Sequence, residues 1–122
     1  MKRILFVDDF INWHPILIEI LSRIGDFDIK GFVNGNELFE HYKKLNKYGE
    51  TVDLILIDCF MINMSGFETL KEIMKINSNA HVIMMTGVHR QNVIDGIKLG
   101  AKGFIWKPYD EANIKEVFNK HL

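Results

Sequence analysis

The sequence is poor in the residues that would signal an unusual fold. It has one cysteine, Cys59, which excludes an internal disulfide framework and any multi-cysteine metal site. Its only prolines are Pro15 and Pro108, and no Pro/Ser-rich, low-complexity or repeated tract marks a linker. No uninterrupted apolar run exceeds five residues, far short of the ~20 that span a bilayer. The opening Met1-Lys2-Arg3 meets two aspartates after only Ile4-Leu5-Phe6-Val7, too short an apolar core for a secretory leader. Neither sign of charge dominates: 15 Lys+Arg face 16 Asp+Glu, interspersed, for a net charge of −1. That balance gives no electrostatic footprint for nucleic acid or an anionic membrane. The expectation is one domain over residues 1–122, in the cytoplasm, since 122 residues fit the usual domain size.

What is present is alternation. Ile4 to Val7, Leu54 to Ile57, Val82 to Met85 and Phe104 to Trp106 are apolar nearly throughout, and Phe27 to Val33 is a weaker run broken by Asp28, Lys30 and Gly31. Short unalternating runs rich in Ile, Val and Phe suit strands buried on both faces of a parallel sheet. Between and after them lie helical stripes: Ile16, Leu17, Ile20, Leu21 and Ile24; Leu38, Phe39, Tyr42 and Leu45; Phe67, Leu70, Ile73, Met74 and Ile76; Val93, Ile94, Ile97 and Leu99; Ala112, Ile114, Val117 and Phe118. Asn12, Asn34 and Asp110 stand where N-caps belong, and Gly25 and Gly100 where helices stop. Five βα units in strict alternation predict an open α/β fold with right-handed crossovers.

In a parallel sheet every strand's carboxyl end lies on one rim, where ligands bind. Asp8 and Asp9 follow the first predicted strand, Asp58 the third, Thr86-Gly87 the fourth and Lys107-Pro108 the fifth. A first strand flanked by the third brings three carboxylates within a few ångströms, where they repel and one takes up a proton unless a cation is present. An all-oxygen site of this kind suits Mg²⁺ better than Zn²⁺. Given an anionic phosphoryl donor, a carboxylate can act as nucleophile and form an acyl phosphate, while the metal and Lys107 neutralise the transferring oxygens.

These features in this order resemble the response-regulator receiver domain of two-component signalling, of the stand-alone, chemotaxis-regulator-like type, over essentially the whole chain. The residues that carry the resemblance are Asp8-Asp9, Asp58, the Met61-to-Gly66 loop, Thr86 and the run from Gly100 to Pro108. The resemblance implies a flavodoxin-like (βα)5 doubly wound sheet of strand order 2-1-3-4-5, with a cis bond between Lys107 and Pro108. It also implies Asp58 as phosphoacceptor, with Asp9, Asp58 and the backbone carbonyl of Phe60 as direct Mg²⁺ ligands and Asp8 acting mainly through water. Thr86 would hydrogen-bond the phosphoryl group, Lys107 would pair with it, and Thr86 with Phe104 would form the switch. The output surface would be the face made by helix four, strand five and helix five. The implied partners are a sensor histidine kinase or histidine phosphotransfer protein and a downstream protein target. Relaying the phosphoryl group onward is the alternative.

The chain departs from the family pattern at Ile62, where proline is usual, and at Phe104, where tyrosine is common. Phe60 and Val88 stand two residues beyond Asp58 and Thr86, positions that the resemblance implies modulate hydrolysis of the phosphoryl group. Both are apolar and cannot orient an attacking water, so the phosphorylated state is expected to be long-lived. Trp106 shares the parity of Phe104 and points to the same side of its strand. Cys59 reads as a small buried hydrophobe, and the five histidines show no ligand spacing. A phosphatase of the haloacid dehalogenase type also uses an aspartyl nucleophile and Mg²⁺. It places two acids at alternate positions after the first strand, whereas Asp8 and Asp9 are adjacent.

Overall fold

In the computed structural model, which describes residues 1–61, 64–87 and 90–122, all five apolar runs are strands. They are β1 (Lys2–Val7), β2 (Phe27–Phe32), β3 (Leu54–Asp58), β4 (Val82–Thr86) and β5 (Gly103–Trp106). Alternating with them are α1 (Trp13–Ile24), α2 (Gly35–Lys47), α3 (Gly66–Ile76), α4 (Arg90–Leu99) and α5 (Glu111–His121). β3 and β4 are buried at every position and β1 over its last four. This is the state in which continuous apolar runs are favoured over alternating ones. β2 carries its charged residues Asp28 and Lys30 to solvent at the sheet edge.

Every strand pair is parallel and the order is β2-β1-β3-β4-β5, the flavodoxin-like arrangement expected. The core has two layers. One face of the sheet (Leu5, Val7, Ile55, Ile57, Val82 and Met84) packs on Leu38 and Tyr42 of α2, Leu70 and Ile73 of α3 and Leu99 of α4. The other face (Ile4, Phe6, Leu54, Leu56, Ile83, Met85 and Ile105) packs on Leu17, Ile20 and Leu21 of α1 and Ile114, Val117 and Phe118 of α5.

Local signals explain the helix ends. Asn34 accepts from the Glu37 amide at 2.8 Å, Ser65 from Glu68 at 3.2 Å and Asp110 from Asn113 at 3.2 Å. Each side-chain oxygen satisfies an amide that the first helical turn leaves without a partner. Asn12 does not cap in this way: its backbone is helical and its side chain makes no capping bond. Instead the Trp13 and His14 amides donate to the Phe10 and Ile11 carbonyls in a tight turn. Gly100 ends α4 with φ +111°, and the Lys107–Pro108 bond is cis.

Three predicted stripes are narrower in the structure. Ile16 is exposed on α1, Ala112 is exposed on α5, and Ile94 and Ile97 of α4 face outward. The buried residue of α4 is Gly96. Phe104 of β5 lies beneath it, so close that a methyl group on Gly96 would sit 2.8 Å from the ring.

Candidate functional site

The site is built from strand ends. Asp8 and Asp9 follow β1, Asp58 closes the adjacent β3, Thr86 closes β4 and Lys107 follows β5. Carboxylate oxygens of Asp8, Asp9 and Asp58 all lie within 4.8 Å of one another. Lys107 Nζ stands 2.8 Å from Asp8 Oδ2 and 3.3 Å from Asp58 Oδ1. Thr86 is buried, and its hydroxyl accepts a hydrogen bond from Asn92 Nδ2 of α4 at 3.2 Å. The rim therefore gathers all five polar residues that the strand exits predicted.

Burial shapes the electrostatics. Asp8 and Asp58 are 1% and 6% exposed. Desolvation pushes the Asp58 carboxyl up to about 6 from its ordinary 3.8; the Asp8 charge adds to this, and Lys107 and the Phe60 amide oppose it. A proton on Asp58 is the response expected of clustered acids without a divalent cation. The donor set, three carboxylates packed within one ion's reach, fits a hard cation with oxygen ligands such as Mg²⁺. Phe60 itself is 60% exposed and lies edge-on to Phe67. Cys59 is buried beside the site, and burial raises its thiol to about 11, the profile of an inert packing residue. Ile62, Asn63, Val88 and His89 lie outside the described residues, and with them the expectations about loop proline and water orientation.

Four further side chains reach this rim. Tyr109 donates its hydroxyl to Asp8 Oδ2 at 3.0 Å and lies 3.3 Å from Met85 Sδ. Burial and the Asp8 charge push its phenol far above the ordinary range. Trp13 packs edge-on to Tyr109 at 5.1 Å, and Lys107 Nζ sits 5.8 Å from the Trp13 ring centre and 5.7 Å from that of Tyr109. His14 Nε2 lies 2.8 Å from the Asp8 carbonyl oxygen, its ring edge-on to Phe6. Asn92 holds Thr86. Hydrophobic patterning gives no sign of these residues, but topology does: the loop leaving each strand delivers the first turn of the next helix to the same rim. Phe104 and Trp106 stack at 6.2 Å with their planes 16° apart, on one side of β5 as period two requires.

Fold and rim together define the class: the chain belongs to the response regulator receiver domain family, whose pattern matches residues 4–119. Receiver domains of this family are phosphoacceptor signalling domains. The chain is 38% identical over 121 residues to the chemotaxis protein CheY of Thermotoga maritima, covering 98% of this chain and 96% of that protein. It is 36% identical over 121 residues to CheY of Bacillus subtilis, covering 98% and 97%. Among solved structures it resembles the response regulator TrrA of Thermotoga maritima in complex with Mg²⁺-BeF, with TM-score 0.84, 30% identity and 100% of both chains covered. It also resembles the CheX-CheY-BeF3-Mg²⁺ complex from Borrelia burgdorferi, with TM-score 0.86, 30% identity, and 99% of this chain and 90% of that chain covered. Among the described residues no helix is long and apolar enough to cross a membrane.

Proposed function

We propose that this chain is a response regulator whose Asp58 accepts a phosphoryl group in a Mg²⁺-dependent reaction from a sensor histidine kinase or a histidine phosphotransfer protein. The observation that carries the reading is the convergence of three carboxylates within 4.8 Å, with the Lys107 ammonium in reach of two of them. Asp9, Asp58 and the Phe60 carbonyl would hold Mg²⁺, with Asp8 contributing through water. The metal would supply charge neutralisation on the transferring oxygens.

In the transfer, an Asp58 carboxylate oxygen forms the new P–O bond as the donor's P–N bond breaks, and the departing imidazole nitrogen keeps the electron pair. Lys107 then pairs with the phosphoryl oxygens, and Thr86 leaves Asn92 to hydrogen-bond them. Thr86 and Asn92 join β4 to α4, and Phe104 lies under Gly96 of α4, so a shift of the hydroxyl reaches the α4–β5–α5 face. Exposed Ile94 and Ile97 make that face suited to a protein target.

Incubation with acetyl phosphate and Mg²⁺ is expected to add about 80 Da, the mass of one phosphoryl group, on Asp58, with no gain in Asp58→Asn or in EDTA. An unaltered intact mass of the wild-type protein refutes the reading.

A further inference from the structure

Asp8 is almost wholly buried and both of its oxygens are occupied. Oδ1 accepts from the Phe10 amide at 3.0 Å, and Oδ2 accepts from Lys107 Nζ at 2.8 Å and from the Tyr109 hydroxyl at 3.0 Å. Lys107 is already shared, with Asp58 Oδ1 at 3.3 Å. A phosphoryl group on Asp58 carries between one and two negative charges in place of the single carboxylate charge, spread over oxygens that stand further out, and draws that ammonium away from Asp8. A buried carboxylate that loses a charged donor loses part of what offsets its desolvation, and depends more on the donors that stay. One donor on Oδ2 does not depend on Lys107, and that is Tyr109.

The hydroxyl has a single proton to give, and its two neighbours are Asp8 Oδ2 and the Met85 sulfur. The carboxylate is much the stronger acceptor. The ring packs edge-on against Trp13, a contact that does not pass through Lys107 and that keeps the hydroxyl toward Asp8. We propose that Tyr109 is a positioning residue of the phosphoacceptor site, its hydroxyl holding Asp8 in place when Lys107 turns to the phosphoryl group. This rests on the reading of Asp58 given above.

Tyr109→Phe removes one oxygen and keeps the ring. The test follows tryptophan fluorescence in two titrations of the whole chain: Mg²⁺ alone, and beryllofluoride, a phosphoryl mimic, at saturating Mg²⁺. In Tyr109→Phe the Mg²⁺ midpoint is expected to stay within about twofold of wild type while the beryllofluoride midpoint rises about five- to tenfold. Met85→Leu, which removes the other neighbour of the hydroxyl, is expected to change neither. Unchanged midpoints in Tyr109→Phe, a parallel shift of both, or the same split in Met85→Leu would each overturn the assignment. A wild-type protein that ignores both titrants overturns the phosphoacceptor reading as well, and shows it before any substitution is made.

Discussion

Asp58 is held in the fold at a cost that depends on pH. Its carboxyl is pushed up to about 6 from 3.8, by burial first and the Asp8 charge as well, against the pull of Lys107. A group with a raised folded-state value stabilises the fold fully below its unfolded value, and that contribution is lost as pH rises through the folded value. Without metal, the Asp58 contribution is therefore present below about pH 4 and gone above about pH 6. Asp58→Asn, neutral throughout, is expected to be more stable than wild type at about pH 7.5 by roughly 2–3 kcal/mol, with the gap closing near pH 4. Urea unfolding in EDTA at the two pH values measures this. A variant less stable than wild type at the higher pH contradicts it. At this scale the sequence discloses Asp8, Asp9, Asp58, Thr86 and Lys107, because a strand's last residues have only one rim to go to. Tyr109, Trp13, His14 and Asn92 are placed near the rim by topology, but the contacts they make there depend on how helix starts turn over it, which hydrophobic patterning does not register.

Among the elements, α3 begins directly against the acceptor. The Gly66 amide donates to the Cys59 carbonyl at 3.0 Å, and a methyl group on Gly66 would overlap the Asp58 carbonyl oxygen. That neighbour is backbone and cannot swing aside. Gly66→Ala is expected to cost about 1–3 kcal/mol, the range of core overpacking, and to slow phosphorylation by acetyl phosphate by displacing Asp58. Thermal unfolding and the rate of mass gain check the two effects. Normal values of both would show that the helix start yields freely. The strands and helix order are legible in the sequence because burial on both faces leaves unbroken apolar runs. The α4 stripe departs from its expected face for a physical reason: the Phe104 ring fills the space beneath the helix, so a glycine faces the sheet and Ile94 and Ile97 are left outside. Periodicity counts apolar residues and has no way to register a ring rising from the strand below.

At the level of the whole molecule, the amino end of the sheet carries a pair of titrating histidines. His81 Nε2, just before β4, meets His121 Nδ1, at the end of α5, at 2.8 Å. Burial lowers both rings first; His121 and Lys102 add to the effect on His81, and Lys120 and Lys102 to that on His121. Groups with lowered values contribute stability that is present above the ordinary histidine value of 6.5 and lost as pH falls through the folded value. This slope is opposite in sign to that of Asp58. His121→Gln is expected to flatten the loss of stability between about pH 7 and about pH 5, read from urea midpoints. An undiminished acid slope would assign it elsewhere.

The borders of the sheet bear on edge-to-edge pairing with another chain. β5 is an outer strand of four residues, and the Trp106 amide is taken up by Asn113 Oδ1 of α5 at 3.1 Å. On the opposite border β2 offers Asp28 and Lys30. A short strand with one donor already claimed, facing a charged one across the molecule, gives a stray chain little to zip onto. An added strand would meet an incomplete donor row on one border and a charged row on the other.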